Sequence, residues 1–226
     1  MKTENVKKQF PLVCVGGASA DIGTYTRLLG SLSPDLGIAI IVVNHLGLVS
    51  NLLLETLPRC TEMPVELISD GLLVQPNRIF ISQDERDWHV LDGRFRLKPI
   101  SKPTGWPDVI TVFLRSLTQH WSGQLVAVIV SGYDGDGAAA LHGIKEVGGI
   151  TIAQKTETAG QPDMPLSAIA SGSIDFILTI EEIARQIERI ALAEKPLLDI
   201  ETETESIRRE SEQQGKMADS HRAPSQ

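Results

Sequence analysis

Residues 11–19 read PLVCVGGAS, an apolar run that passes directly into two glycines, an alanine and a serine. Two further runs have the same form: residues 38–43 lead to His45, and residues 125–130 lead to a glycine-rich turn that contains Asp136. All three runs are apolar throughout instead of alternating in polarity. This pattern indicates strands that are buried on both faces, as in a parallel sheet covered by helices.

Helical stretches follow these runs, and the alternation of strand and helix continues to about residue 192. The sequence therefore predicts an α/β fold, with a doubly wound, mostly parallel sheet covered by helices. The middle of the chain differs, because short strand-like segments at 79–82, 88–91 and 95–97 are separated by charged residues and by Asp92-Gly93. Asp-Gly between two such segments is a hairpin signal. We therefore expect a small antiparallel hairpin excursion at about residues 79–98.

Composition and charge predict the domain organisation and argue against nucleic-acid binding and membrane insertion. We expect a polar lead over residues 1–10, one folded domain over 11–194, and a disordered, charged tail over 195–226. The net charge of −8 argues against a partner made of nucleic acid. No apolar run approaches the roughly 18 residues of a membrane span, so no membrane insertion is expected. Cys14 and Cys60 are predicted to be free, buried thiols, as in a cytoplasmic protein.

The three strand ends together offer the parts of a nucleophilic hydrolase. Ligands of open parallel sheets bind at the carboxyl ends of the strands. Ser19, His45 and Asp136 would supply a nucleophile, a base and an orienting carboxylate there. Each residue also has a structural interpretation that the sequence leaves open. The serine is a common helix cap, the histidine a common hydrogen-bonding residue, and the aspartate a turn residue that satisfies free N–H groups.

Several separated motifs resemble the catalytic domain of the CheB protein-glutamate methylesterase family. They are Gly17-Ala18-Ser19, His45, the turn from Ser131 to Ala138, Ala153-Gln154, Met164-Pro165, Ala168-Ile169, Gly172 and Ile174-Asp175. The resemblance covers about residues 12–191 and implies that this is a methylesterase-like catalytic domain. It implies Ser19 as nucleophile, His45 as general base and acid, and Asp136 as the orienting carboxylate. It also places Ala20, Tyr133 and Met164 in the oxyanion and substrate region, and it implies no metal or cofactor.

The resemblance implies a function in chemotaxis-type signal adaptation. Such an enzyme hydrolyses glutamate methyl esters on the cytoplasmic region of chemoreceptors, and related enzymes also deamidate glutamine. The expected partners are a methylated chemoreceptor and a receptor methyltransferase. Two alternatives stay open: a catalytically degenerate domain that binds one of these partners, and an esterase with a small-molecule substrate.

The chain departs from the family pattern near the site. Asp21 and Ile22 stand where the family usually has two glycines, and Asp134 replaces a turn glycine. Family members often carry an N-terminal receiver domain, which is not expected in the ten or so residues before the first strand.

Overall fold

The computed structural model describes residues 10–18, 21–44, 47–82, 86–101 and 108–193. The strands in these ranges are β1 (Leu12–Ala18), β2 (Ala39–Asn44), β3 (Val65–Leu67), β4 (Arg78–Ile81), β5 (Asp87–Leu91), β6 (Arg94–Lys98), β7 (Leu125–Gly132), β8 (Ile150–Gln154) and β9 (Phe176–Leu178). The α-helices are α1 (Ile22–Gly30), α2 (Gly47–Thr56), α3 (Val109–His120), α4 (Leu141–Glu146), α5 (Asp163–Ala170) and α6, which covers residues 180–193. Short 3₁₀ turns lie at Leu57–Arg59, Ala138–Ala140 and Thr156–Thr158.

Seven strands form one sheet in the order β3-β4-β2-β1-β7-β8-β9, and every pairing between them is parallel. The chain runs outward from β1 to β2 and beyond, and then returns to the other side of β1 with β7. This reversal makes the carboxyl ends of β2, β1 and β7 the topological switch point, where open α/β sheets bind ligands. The predicted doubly wound α/β fold is confirmed.

Two hydrophobic clusters cover the two faces of the sheet. Helices α1, α2 and α6 pack on one face, through residues such as Leu28, Leu53 and Ile183. Helices α3, α4 and α5 pack on the other face together with the hairpin, through residues such as Phe113 and Phe95. The central strands β1, β2 and β7 are buried from both sides, which explains why their sequences are mostly apolar.

The predicted hairpin excursion is confirmed in part. β5 and β6 pair antiparallel over Asp87–Lys98, around Asp92 and Gly93, which both have positive φ. Residues 79–82 were wrongly assigned to this excursion, because β4 pairs parallel with β2 in the main sheet. The edge strand β3 was not predicted. It has only three half-buried residues and no long apolar run.

The remaining expectations concern the cysteines and the ends of the chain. Both cysteines are free, and Cys14 is buried as predicted, but Cys60 is exposed, so that part of the prediction was wrong. Cys60 follows a 3₁₀ turn at the surface and not a core position. Among the residues that the structure describes, none of the helices is long and apolar enough to cross a membrane. The predicted tail over 195–226 and residues 1–9 of the lead lie outside the described residues.

Candidate active site

The register of the central strands brings three strand ends side by side. Gly17 of β1 pairs with Asn44 of β2, and Ala18 pairs with Gly132 of β7. Neighbouring strands lie about 4.8 Å apart. The described residues that lead directly to positions 19 and 45 are therefore neighbours, and the turn that contains Asp136 begins beside them. Ser19, Ala20 and His45 themselves lie outside the described residues.

The Asp136 carboxylate is fixed at this edge by the start of α3. Its Oδ2 accepts a hydrogen bond from the Ile110 N–H at 2.8 Å, and its Oδ1 accepts one from the Thr111 N–H at 2.9 Å. Oδ1 also accepts a hydrogen bond from the Gly137 N–H at 2.7 Å. Asp136 thus caps α3 from a different part of the chain, which is the structural role that the sequence left open. A carboxylate has about four acceptor positions, so this role and the orientation of an imidazole are compatible.

Burial and hydrogen bonding act in opposite directions on Asp136. Burial raises the pKa of this carboxyl above its ordinary value, whereas the hydrogen bonds from Ile110, Thr111 and Gly137 lower it. The positive end of α3 also favours the ionised form. Cys14 lies close by, and burial together with the Asp136 charge raises the pKa of its thiol far above the ordinary value. Cys14 is therefore a neutral thiol and does not provide a competing nucleophile.

The turn around Asp136 is stiff and accommodates Asp134, one of the departures from the family pattern. The Asp134 Oδ1 accepts a hydrogen bond from the Asp136 N–H at 2.9 Å, and its Oδ2 is buried. Gly137 has φ +90°, and a Cβ at this position would lie 2.9 Å from the side chains of both Ile110 and Ile129. Only glycine fits there. The aspartate that replaces a turn glycine therefore contributes a hydrogen bond to the turn.

The other departure is also accommodated by the backbone. Asp21 occupies the N-cap position of α1 with φ −74°, and Ile22 is the first residue of that helix. Neither position needs glycine, because an L-residue adopts these conformations without strain. The Thr24 hydroxyl donates a hydrogen bond to the Asp21 Oδ2 at 2.8 Å. Asp21 is thus held at the start of the helix that follows the predicted nucleophile.

A buried glutamine network closes the far side of the site, and no role was predicted for it. Gln154 accepts a hydrogen bond from the Ser131 N–H through Oε1 at 2.9 Å. The Ser131 hydroxyl accepts one from the Gln161 N–H at 2.9 Å, and the Gln161 carbonyl accepts one from the Gly132 N–H at the same distance. These bonds hold residues 155–162 against the end of β7. The Ala-Gln motif was the available signal, because a fully buried glutamine needs partners.

The described residues of the predicted substrate region differ in accessibility. Tyr133 is 51% exposed at the start of the Asp136 turn, so its ring is available to a bound molecule. Met164 is fully buried, and its sulfur and methyl group lie against Gly132. Met164 therefore packs on the backbone of β7 and its side chain is not exposed to solvent. Leu166, two residues further along α5, is 50% exposed at the same edge of the sheet.

Comparison with known proteins identifies the family. A model of the family described as CheB methylesterase matches residues 13–187. The chain belongs to the CheB methylesterase family. A CheB relative from Burkholderia thailandensis, named protein-glutamate methylesterase/protein-glutamine glutaminase 4, is 29% identical over 180 residues, which are 78% of this chain and 52% of that protein. A Burkholderia lata protein with the same type of name is 31% identical over 191 residues, 83% of this chain and 56% of that protein.

The chain thus spans about half the length of these curated relatives. Among solved structures, the crystal structure of the Thermotoga maritima CheB methylesterase catalytic domain superposes with a TM-score of 0.73 at 24% sequence identity. The match covers 80% of this chain and 98% of that domain, and it shows that the two share a fold. The resemblance inferred from the motifs is therefore confirmed at the level of family and fold.

Proposed function

We propose that this protein is a serine ester hydrolase that removes methyl groups from glutamate methyl esters on chemoreceptors. The observation that carries this proposal is the side-by-side arrangement of the ends of β1, β2 and β7, with the Asp136 carboxylate fixed beside them. Membership of the CheB methylesterase family supports it. The chemistry needs a nucleophile, a base and an anion at one place, and the residues that follow these strands are of those types.

In the proposed mechanism, the Ser19 hydroxyl attacks the ester carbonyl while His45 accepts its proton. The tetrahedral intermediate collapses when His45 donates that proton to the departing methoxide, so methanol leaves and an acyl-enzyme remains. His45 then activates a water molecule, which releases the glutamate carboxylate and regenerates the serine. Asp136 holds the imidazole in the productive tautomer and stabilises its charged form.

The substrate would approach the exposed side chains of Tyr133 and Leu166, which offer apolar surface at the rim of the site. The names of the curated relatives include protein-glutamine glutaminase. Deamidation of glutamine would use the same residues with ammonia as the leaving group, and we include it in the proposal. We also propose a receptor methyltransferase as a second partner and the cytoplasm as the location.

The proposal is tested by incubating the full chain with a methylated chemoreceptor fragment and measuring the methanol released. We expect Ser19→Ala, His45→Ala and Asp136→Asn each to lower turnover by at least about 10³-fold. The triple variant should be only slightly less active than the least active single variant, because triad members act as a unit. Ser33→Ala is the matched control, because this exposed serine follows α1 at the opposite edge of the sheet.

Three results would contradict the proposal in different ways. Wild-type activity in Ser19→Ala would remove the serine from the mechanism. Release of an alcohol from a small activated ester, without methanol from the receptor fragment, would favour the small-molecule esterase. Receptor binding without either reaction would favour a degenerate binding domain.

A further inference from the structure

A buried hydrogen bond joins α1 to the end of β2 directly below the proposed site. The Asn44 side-chain amide donates to the Tyr25 hydroxyl at 2.9 Å, and both residues are fully buried. Burial raises the pKa of Tyr25 far above its ordinary value, with a further contribution from the Asp21 charge. The phenol is therefore neutral at every physiological pH. Asn44 is the residue immediately before His45.

The same hydroxyl also lies against the end of β1. A Cβ at Gly17 would lie 2.3 Å from the Tyr25 hydroxyl oxygen and 2.8 Å from the Val130 side chain on β7. No side chain larger than hydrogen fits at Gly17, so the hydroxyl packs directly on the strand two residues before Ser19. The Tyr25 hydroxyl thus contacts both strand ends that lead to the proposed nucleophile and base.

The backbone of Asn44 is fixed from its other side. The Asn44 N–H donates a hydrogen bond to the Ser82 hydroxyl at 3.1 Å, and the Ser50 hydroxyl donates one to the Ser82 carbonyl at 2.7 Å. The end of β2 is therefore held between Ser82, at the end of β4, and Tyr25 on α1. Loss of the Tyr25 contact would leave the Ser82 contact in place, so the strand would remain paired while its end shifted.

We propose that Tyr25 is a positioning residue, whose hydroxyl sets the spacing between the strand ends that precede Ser19 and His45. This inference rests on the proposed function. A nucleophile and its base must come within about 2.6–3.2 Å of each other, and a misplacement of about 1 Å can cost about 100-fold in rate. A contact shared by both strand ends is well placed to control that distance.

The test is Tyr25→Phe, which removes the hydroxyl and keeps the buried ring. We expect kcat for methanol release to fall about tenfold or more, with KM within about twofold of wild type, because positioning acts on the chemical step. Thr151→Val is the matched control. It removes a buried hydroxyl that donates to the Ser173 carbonyl at 2.6 Å, near the opposite end of the sheet. Because this hydroxyl also forms hydrogen bonds with Asp175, Thr151→Val should lower the melting temperature at least as much as Tyr25→Phe and leave kcat unchanged.

Asn44→Ala breaks the same hydrogen bond from its other side, and the double variant completes the test. If the two side chains act through this one hydrogen bond, the fold-decrease in kcat of the double variant should be much smaller than the product of the two single fold-decreases. Independent, multiplying losses would overturn the inference. The inference would also be overturned if Tyr25→Phe, assayed well below its melting temperature, had the same kcat per folded molecule as wild type.

The inference and the proposed function fail in distinguishable ways. A wild-type kcat in Tyr25→Phe, together with inactive Ser19→Ala, refutes the positioning role and leaves the proposed function standing. If wild-type protein releases methanol at the same rate as Ser19→Ala, the proposed function fails and the inference fails with it.

Discussion

At the scale of single residues, the Asp136 carboxylate has one structural role and one proposed catalytic role. It caps the first N–H groups of α3, and in the proposed mechanism it also orients an imidazole. Thr111 supports both roles, because its hydroxyl accepts a hydrogen bond from the Gly137 N–H at 2.8 Å and its side chain also lowers the pKa of Asp136. The cap holds the carboxylate in a position that its own loop alone would not fix.

Thr111→Val should move the acid limb of the pH–rate profile to higher pH. Burial already raises the pKa of Asp136, and the variant removes one hydrogen bond that opposes this rise. The pKa of the carboxyl rises, so the carboxylate stabilises the protonated imidazole more strongly. The carboxylate itself also becomes protonated at a higher pH. A hydrogen bond to a charged group stabilises that charged form, so its loss moves the acid limb to higher pH. Thr111→Ser, which keeps the hydroxyl, should match wild type. An unmoved limb in Thr111→Val would show that this hydroxyl does not act on the carboxylate.

The sequence predicted the residue types of the site better than their contacts. Ser19, His45 and Asp136 are recognisable because each follows an apolar run that ends in small or polar residues. The sequence did not indicate that Asp136 caps α3 in particular, because this residue lies 25 or more positions after the N–H groups that it binds. The Tyr25–Asn44 bond gave no signal either, since a tyrosine on an apolar helix face reads as an ordinary core residue.

At the scale of elements, the sequence located most strands correctly but not all of their pairing partners. The predicted central strands agree with β1, β2 and β7 to within a few residues at their ends. The partner of β4 was misjudged, because residues 79–82 precede a charged stretch and a hairpin signal, and only contacts far along the chain place them beside β2. A parallel pairing between distant strands leaves no local mark in the sequence.

The hairpin is part of the core and not an appendage. Phe95 of β6 is fully buried and packs on Phe80 of β4, with ring centroids 5.1 Å apart. The Val90 N–H also donates a hydrogen bond to the Ser116 hydroxyl of α3 at 3.1 Å. The hairpin therefore supports α3, whose first residues hold the Asp136 carboxylate.

Phe95→Ala should lower the free energy of unfolding by about 3–5 kcal/mol, because it leaves a cavity between the hairpin, the sheet and α3. Phe176→Ala provides the matched control at the sheet edge, where the ring is 38% exposed, and should cost less than about 1 kcal/mol. Both values come from urea unfolding followed by fluorescence or circular dichroism. Equal, small losses in the two variants would mean that the hairpin contributes little to the core.

At the scale of the whole molecule, the described residues form two hydrophobic clusters, one on each face of the sheet. The two clusters that cover the sheet extend from Leu12 of β1 to Ala191 of α6. Ala191 is 2% exposed, whereas Leu192, the next residue along α6, is 61% exposed. The residues after 193 have the low apolar content of a segment that does not build a core.

Deletion of residues 194–226 should therefore leave thermal unfolding nearly unchanged. We expect the melting temperature to shift by less than about 2 °C and the transition to stay cooperative, because no described core residue is removed. A deletion that begins after residue 185 is the control, since it also removes Ile187, Ile190 and Ala191 from the cluster on that face of the sheet. It should lower the melting temperature strongly or prevent folding, as expected when several buried side chains are lost. A large fall in melting temperature for the shorter deletion would instead show that the tail packs on the domain, and the exposed Leu192 would be the first place to look for that contact.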